Sequence, residues 1–188
     1  RPDQSVPASS IAVAVDNPET AAHKADAEQL TASLMQQTAA LAQRLGIEAV
    51  RVMHAWSPVG IHFLEHPRSM MSKAEVEAYV QEWETASSTW LERFISDTNN
   101  RLKDYGVRFD PFLIQGEARI VVVESLKKAG TDILVLGSAN RQGLPGLFVG
   151  NTAETLMDQA HCSLYVVKPT GLSAILSPAF GPTQAQAS

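Results

Sequence analysis

Apolar positions along this chain switch between runs and helical stripes. IAVAVD, from Ile11 to Asp16, is a β-rich apolar run stopped by Asn17-Pro18, as when a buried strand meets a break. Leu30, Leu34, Leu41 and Leu45 then recur on one helical face up to Gly46, which predicts an amphipathic helix over Asp26 to Leu45. AVRVMHA, Ala49 to Ala55, reads as a second strand. Strand, helix and strand at these lengths require a parallel pair with a right-handed crossover. Trp56 to Ser72, with Pro58, Gly60 and Pro67, is irregular. From Lys73 to Tyr105, apolar residues every three or four positions predict a long helix that Gly106 ends. Val107 to Gln115 is a third strand, in which Pro111 is best tolerated at a sheet edge. Glu117 to Ala129 is a helix closed by Gly130, the run from Ile133 to Leu136 a strand ended by Gly137, and Ser163 to Lys168 the last strand. Five strands alternating with helices predict an α/β sheet covered on both faces.

The ends break this regularity. RPDQSVPASS is polar and proline-containing, which predicts a linker or extension over residues 1–9 and raises a tandem arrangement with another domain. Residues 170–188 mix Gly, Pro, Ser, Ala and Gln without periodicity and read as a mobile tail, although Ile175, Leu176 and Phe180 are apolar enough to dock. The expected folded domain is residues 10–169.

Composition narrows the class. At 188 residues, 45% hydrophobic and 19% charged, the chain is long enough for one sizeable core. A net charge of −5 argues against a nucleic-acid surface. No apolar run reaches membrane-spanning length, and a single cysteine, Cys162, fits a reducing compartment. A cytoplasmic protein is the economical expectation.

The stretch from Asp132 to Pro169 carries the chemistry. Gly137, Gly143, Gly146 and Gly150 space a loop between the fourth strand and a helix that starts near Asn151 and Thr152. The first N–H groups of a helix lack intrahelical partners and lie at the positive end of its dipole, so they attract an anion. Glycines ahead of them let the backbone approach a phosphate without a Cβ in the way.

Here the chain resembles the universal stress proteins, whose nucleotide-binding members carry Gly, two residues, Gly, nine residues, Gly and then Ser or Thr. Gly137 takes the first place and Gly150, thirteen residues on, the third, while Asn140 replaces the second glycine and Asn151 the hydroxyl residue, with Thr152 next. GNTAE at this point is similar to the E-type, tandem-domain branch. The resemblance implies a five-stranded parallel open sheet in the order 3-2-1-4-5, of the adenine nucleotide alpha hydrolase-like kind. Ligands of such sheets bind beyond the carboxyl ends of the strands where the order reverses, here between strands one and four. It also implies the site: Asp16 beside a ribose, Ala55 beside an adenine, Leu136 and Gly137 along base and ribose, Asn140 in the turn, and Gly150, Asn151 and Thr152 facing phosphates. Read from the residues alone, Asp16 is a turn residue ahead of Asn17-Pro18.

The implied role is a stress-response regulator binding ATP, with Mg²⁺, rather than an enzyme, slow ATP hydrolysis being a third reading. A P-loop, a G-x-G-x-x-G after the first strand and a G-x-S-x-G turn are all missing from the sequence. The alternative is a scaffold or dimerisation domain whose crevice takes no nucleotide or another small ligand. The resemblance implies homodimer or tandem pairing through Leu164 to Val167, by an exposed strand edge. Other motifs are weaker. His62-Phe63-Leu64-Glu65-His66 spells H-x-x-E-H, but Gly60 and Pro67 leave little room for the helix a shared metal needs. His54 reads as a satisfied strand histidine, Cys162 as a small core residue, and Trp83 and Trp90 as core or subunit contacts.

Overall fold

A computed structural model describes residues 8–21, 23–64, 71–138, 151–168 and 173–176; at residues 62, 151–153, 157 and 173–176 the backbone alone is described. Strands β1 (Ile11–Ala14), β2 (Ala49–Trp56), β3 (Arg108–Gln115), β4 (Ile133–Gly137) and β5 (Ser163–Val167) are parallel, and β6 (Ser173–Leu176) runs antiparallel to β5. The sheet order is β3-β2-β1-β4-β5-β6. The five-strand order 3-2-1-4-5 is thus present, with one strand added at its edge.

Two helices, α1 (Lys24–Leu45) and α3 (Lys73–Arg101), cover one face, and α4 (Ala118–Ala129) and α5 (Asn151–Gln159) the other. Strand alternation sorts the core accordingly. Ile11, Val13, Val50, Val52 and Val135 pack with Leu34, Met35 and Leu91, whereas Ala12, Met53, Leu134, Leu136 and Val166 pack with Val122, Leu126 and Leu156. Fully burying one such Val or Leu contributes about 1.5–3 kcal/mol. The ion pairs Lys24–Glu28 and Arg119–Glu117 have side chains more than half exposed, so the fold rests on the two cores.

At the lower end of the sheet, Asp132 ties the chain ahead of β1 to β4. Its Oδ2 accepts from the N–H of Ser9 at 2.8 Å and of Ser10 at 3.0 Å, and from both hydroxyls. Those donors, the Ser9 N–H foremost, hold its carboxyl below the usual range.

Four expectations need correction. The long helix stops at Arg101, and Lys103–Tyr105 form a 3-10 turn, because Leu102 is tucked into the core as the chain reverses toward β3. Ser173–Leu176, placed in the mobile tail by their neighbours' composition, fold back as β6. The outer edge of β5, expected to be exposed, is therefore occupied. A single-turn helix α2 (Ile61–Leu64) also interrupts the segment read as irregular. Pro111 does lie in an edge strand, opposite Val52.

Gly116, between β3 and α4, has φ +130°, and a Cβ there would meet Cγ1 of Val121 at 2.5 Å. Val121 is β-branched and stiff on its helix, so relief must come from the backbone. Gly116→Ala is expected to lower stability by about 2 kcal/mol, read as a lower urea midpoint with an unchanged slope; an unchanged midpoint would show that this turn relaxes freely.

Candidate functional site

The upper ends of β1 and β4 lie side by side, with Ala14 opposite Leu136. Beyond β1 the pairing continues through Val15 N–H, which donates to Met53 O at 3.0 Å, and carries Asp16 to the level of Ala55. The alternation that turns Ala12 toward α4 and α5 turns Ala14 the same way, together with Ala55 and Leu136. Four of the expected residues, Asp16, Ala55, Leu136 and Gly137, therefore gather at one end of the sheet.

Helix α5 supplies the fifth element. Its Leu156 is buried against Leu134 and Leu136, and β5 begins level with Ile133 at the lower end of β4. A parallel crossover runs back down the sheet, so the N-terminus of α5, Asn151, lies at the upper end. Asn151 and Thr152 form the first backbone turn of that helix. Asn140 and Gly150, with Gly143 and Gly146, lie outside the described residues.

The individual environments differ from the simplest expectation. Asp16 is exposed, and its Oδ1 accepts from the N–H of Asn17 at 2.8 Å. Asn17 in turn caps the 3-10 turn Pro18–Thr20, its Oδ1 accepting from Glu19 N–H at 2.9 Å. Asp16 is thus a turn residue as well as a carboxylate at the strand end. Leu136 is 3% exposed, and its side chain belongs to the core. Gly137 abuts α1: a Cβ there would lie 3.2 Å from Cδ2 and Cγ of Leu30. Packing against the helix on the far face explains that glycine. Ser138 follows it, buried, and its N–H donates to Val167 O at 2.8 Å.

The pattern reading treated His54 as a satisfied strand residue, and its partners give it a larger part. Its Nδ1 lies 3.2 Å from Val15 O; a carbonyl only accepts, so Nδ1 carries the proton. The ring lies tilted on Trp90, centroids 4.7 Å apart, and Trp90 stacks on Phe94 at 5.3 Å. His54 thereby ties α3 to the strand end that bears Asp16. No sequence period signals that contact, because its partner is a backbone carbonyl on another strand.

A cavity of about 950 Å³ lies on the opposite face, between the Asn17–Glu19 turn and the Thr85, Trp90, Arg93 wall of α3. Asp16, Ala55, Leu136 and Gly137 are not among its lining residues. Among the described residues no group of three or more His, Cys, Asp or Glu could hold a metal ion, and no helix is long and apolar enough to cross a membrane. Cys162 is buried, and burial pushes its thiol pKa up, which disfavours the reactive thiolate. Glu65 and His66 of the H-x-x-E-H stretch lie outside the described residues.

The universal stress protein family model matches residues 7–168. The chain belongs to that family. Universal stress protein MJ0531 of Methanocaldococcus jannaschii is 30% identical over 66 residues, 35% of this chain and 39% of that protein. Universal stress protein E of Salmonella typhi is 51% identical over 37 residues, 20% of this chain and 12% of that protein. The matched stretches thus span well under two thirds of these relatives' lengths. Universal stress protein UspA from Lactobacillus plantarum has TM-score 0.61 at 15% identity, over 86% of this chain and 98% of that one. An Arabidopsis thaliana family protein, At3g01520, solved with AMP bound, has TM-score 0.53 at 16% identity over 85% and 91% of the two chains. A universal stress protein solved in complex with cAMP has TM-score 0.50 at 13% identity over 86% and 98%. At such identities the likeness is one of fold.

Burial holds the His54 imidazole below its ordinary 6.5, against the opposing effects of the Val15 carbonyl and the Asp16 carboxylate. The native state then binds its proton more weakly than the unfolded chain, so this group's stabilisation is full above about pH 6.5 and is lost as pH falls through the native value. Between pH 7.5 and 5.5 the urea midpoint should drop more for the unaltered protein than for His54→Asn, whose amide keeps a donor but does not titrate. Equal drops would mean that other groups set the acid sensitivity.

Proposed function

We propose that this family member binds an adenine nucleotide, ATP with Mg²⁺, in the crevice above β1 and β4, and acts as a non-enzymatic regulator of a stress response. The observation that carries the reading is the meeting of Asp16, Ala55, Leu136 and Gly137 with the N-terminus of α5 at the point where strand order reverses. Asp16 would accept from ribose hydroxyls, and the small side chain of Ala55 would leave a face open for the base. The free N–H groups at Asn151 and Thr152 would receive phosphate oxygens. The backbone at Leu136 and Gly137 would form the floor, with Asn140 and Gly150 in the loop above it. Family proteins solved with AMP and with cAMP support an adenine nucleotide as the ligand class.

A second reading is a scaffold or dimerisation domain without nucleotide, of the cytoplasmic, tandem-domain kind. Asn140 and Asn151 in place of a glycine and a small hydroxyl residue favour it, since each carries bulk where a phosphate would come close. Pairing through Leu164 to Val167 belongs to this reading as well, and requires the edge of β5 to be free.

Calorimetric titration of the nucleotide-stripped protein with ATP and Mg²⁺ separates the two. Binding heat together with a rise in melting temperature is expected, since a ligand of the native state alone must stabilise it. Asp16→Ala should weaken binding about tenfold, equivalent to about 1.4 kcal/mol, and Gly150→Val should abolish it with the fold retained. No heat and no stabilisation at millimolar ATP would leave the scaffold reading.

A further inference from the structure

The nucleotide reading leaves the cavity of about 950 Å³ beside α3 without a role. One wall of it is a stripe of α3 from Ala78 to Asp97, whose members recur every three or four residues and so share a face of the helix. At roughly 1.5 Å per residue that stripe is about 28 Å long. The other wall is the Asn17–Glu19 turn with Glu28 of α1. Gln81, Glu82, Thr85 and Arg93 along the stripe are exposed, so the hollow is an open trough.

Its middle is apolar. Trp90 and Phe94, both half-buried, stack with centroids 5.3 Å apart and planes 10° apart, and Ala86 lies on the same face. Carboxylates stand around this strip, Glu82 and Asp97 on α3 and Glu19 and Glu28 on the other wall. Lys24 lies 4.0 Å from Glu19 and 3.7 Å from Glu28, but all three side chains are more than half exposed, so those pairs hold weakly. Among the described residues the side chains of Glu82, Arg93 and Asp97 form no ion pair or hydrogen bond. Arg93 is the one cation among the lining residues, so the trough carries a negative field.

The spacing of the carboxylates says which cation fits. Glu82 and Asp97 are about 22 Å apart along the helix axis, and among the described residues no group of three acidic, His or Cys side chains could hold a metal ion. Charge is therefore laid out for several cations in a row, with apolar surface between them. An alkyl chain carrying ammonium groups has that pattern, its methylenes lying on apolar and aromatic faces while each nitrogen donates to a carboxylate. We propose that the trough is a binding site for a linear aliphatic polyamine, with Glu82 and Asp97 receiving ammonium groups and the Trp90–Phe94 pair carrying the chain between them. Arg93 stands in the same row and opposes the ligand. Asp16, Ala55, Leu136 and Gly137 take no part, so occupation of the trough is measured apart from any nucleotide.

Spermine titrated calorimetrically into the nucleotide-stripped full chain is the test. A Kd of about 100 µM is expected at about 20 mM salt, weakening about tenfold at about 150 mM as screening grows. The double variant Glu82→Gln, Asp97→Asn should bind at least about tenfold more weakly, and Arg93→Gln about threefold more tightly. All three side chains are exposed, so the fold should survive these changes. Glu84→Gln, Asp104→Asn removes the same charge from exposed positions outside the trough and should change the affinity less than about twofold. No heat from the unaltered chain up to about 10 mM spermine, or an equal loss in the two double variants, would overturn the proposal, the second outcome meaning that net charge alone draws the ligand. A further readout needs no variant: the Trp90 indole N–H resonance should shift on adding spermine while that of Trp56, buried in β2 and outside the trough, stays in place. A Trp90 signal that does not move would equally overturn the site.

Discussion

Four residues, Ile11–Ala14, hold the sheet together from its middle. They pair in parallel with β2 on one side and β4 on the other, so the two halves of the chain, which run outward in opposite directions from this point, are joined through one short strand. Such a strand must satisfy both rows of its backbone groups and fill both faces. Ile11, Ala12 and Val13 are each 3% exposed or less. Ile11 and Val13 belong to the core under α1 and α3, and Ala12 to the core under α4 and α5. The small side chain of Ala12 lets α4 and α5 sit close, and the Asp132 carboxylate at the lower end anchors the chain ahead of the strand. Strand order reverses at β1, the kind of place where ligands of open α/β sheets bind.

How far this was readable in the residues depends on what each signal reports. Parallel strands buried on both faces are continuous apolar runs, and β1, β2 and β4 are such runs, so their existence was plain. Strand order was carried by the family resemblance, because periodicity says which face a residue takes and nothing about which strand is its neighbour. The fold-back of Ser173–Leu176 was hidden because four residues among Gly, Pro and Ser are too short to show a period. The end of α3 was misplaced for another reason: Leu102 keeps the helical spacing and is apolar, yet it belongs to the core under the reversal rather than to the helix face.

At this end of the sheet the structure gives packing and turn parts to residues that the resemblance assigned to a ligand. Gly137 was read for its closeness to a nucleotide, while the side chain it lacks would crowd Leu30 of α1 on the other face. Leu136 is a core residue whose backbone happens to lie at the strand end. Asp16 joins both readings, accepting from Asn17 N–H while remaining exposed beside Ala55. The contacts that no motif announced are those between a side chain and a backbone group: His54 to Val15 O and Asn99 to Phe109. They are set by three-dimensional neighbours, and a single polar residue in an apolar run does not say which backbone it will meet.

Asp16 and His54, neighbours at the same end of the sheet, differ in what a substitution reaches. His54 is buried and beneath the Asp16 turn at once, its ring tilted against Trp90 and bonded to Val15. A change at His54 must therefore act on stability and on the position of the strand end together, whereas a change at Asp16, an exposed side chain outside both cores, reaches only the turn it bonds at Asn17 N–H.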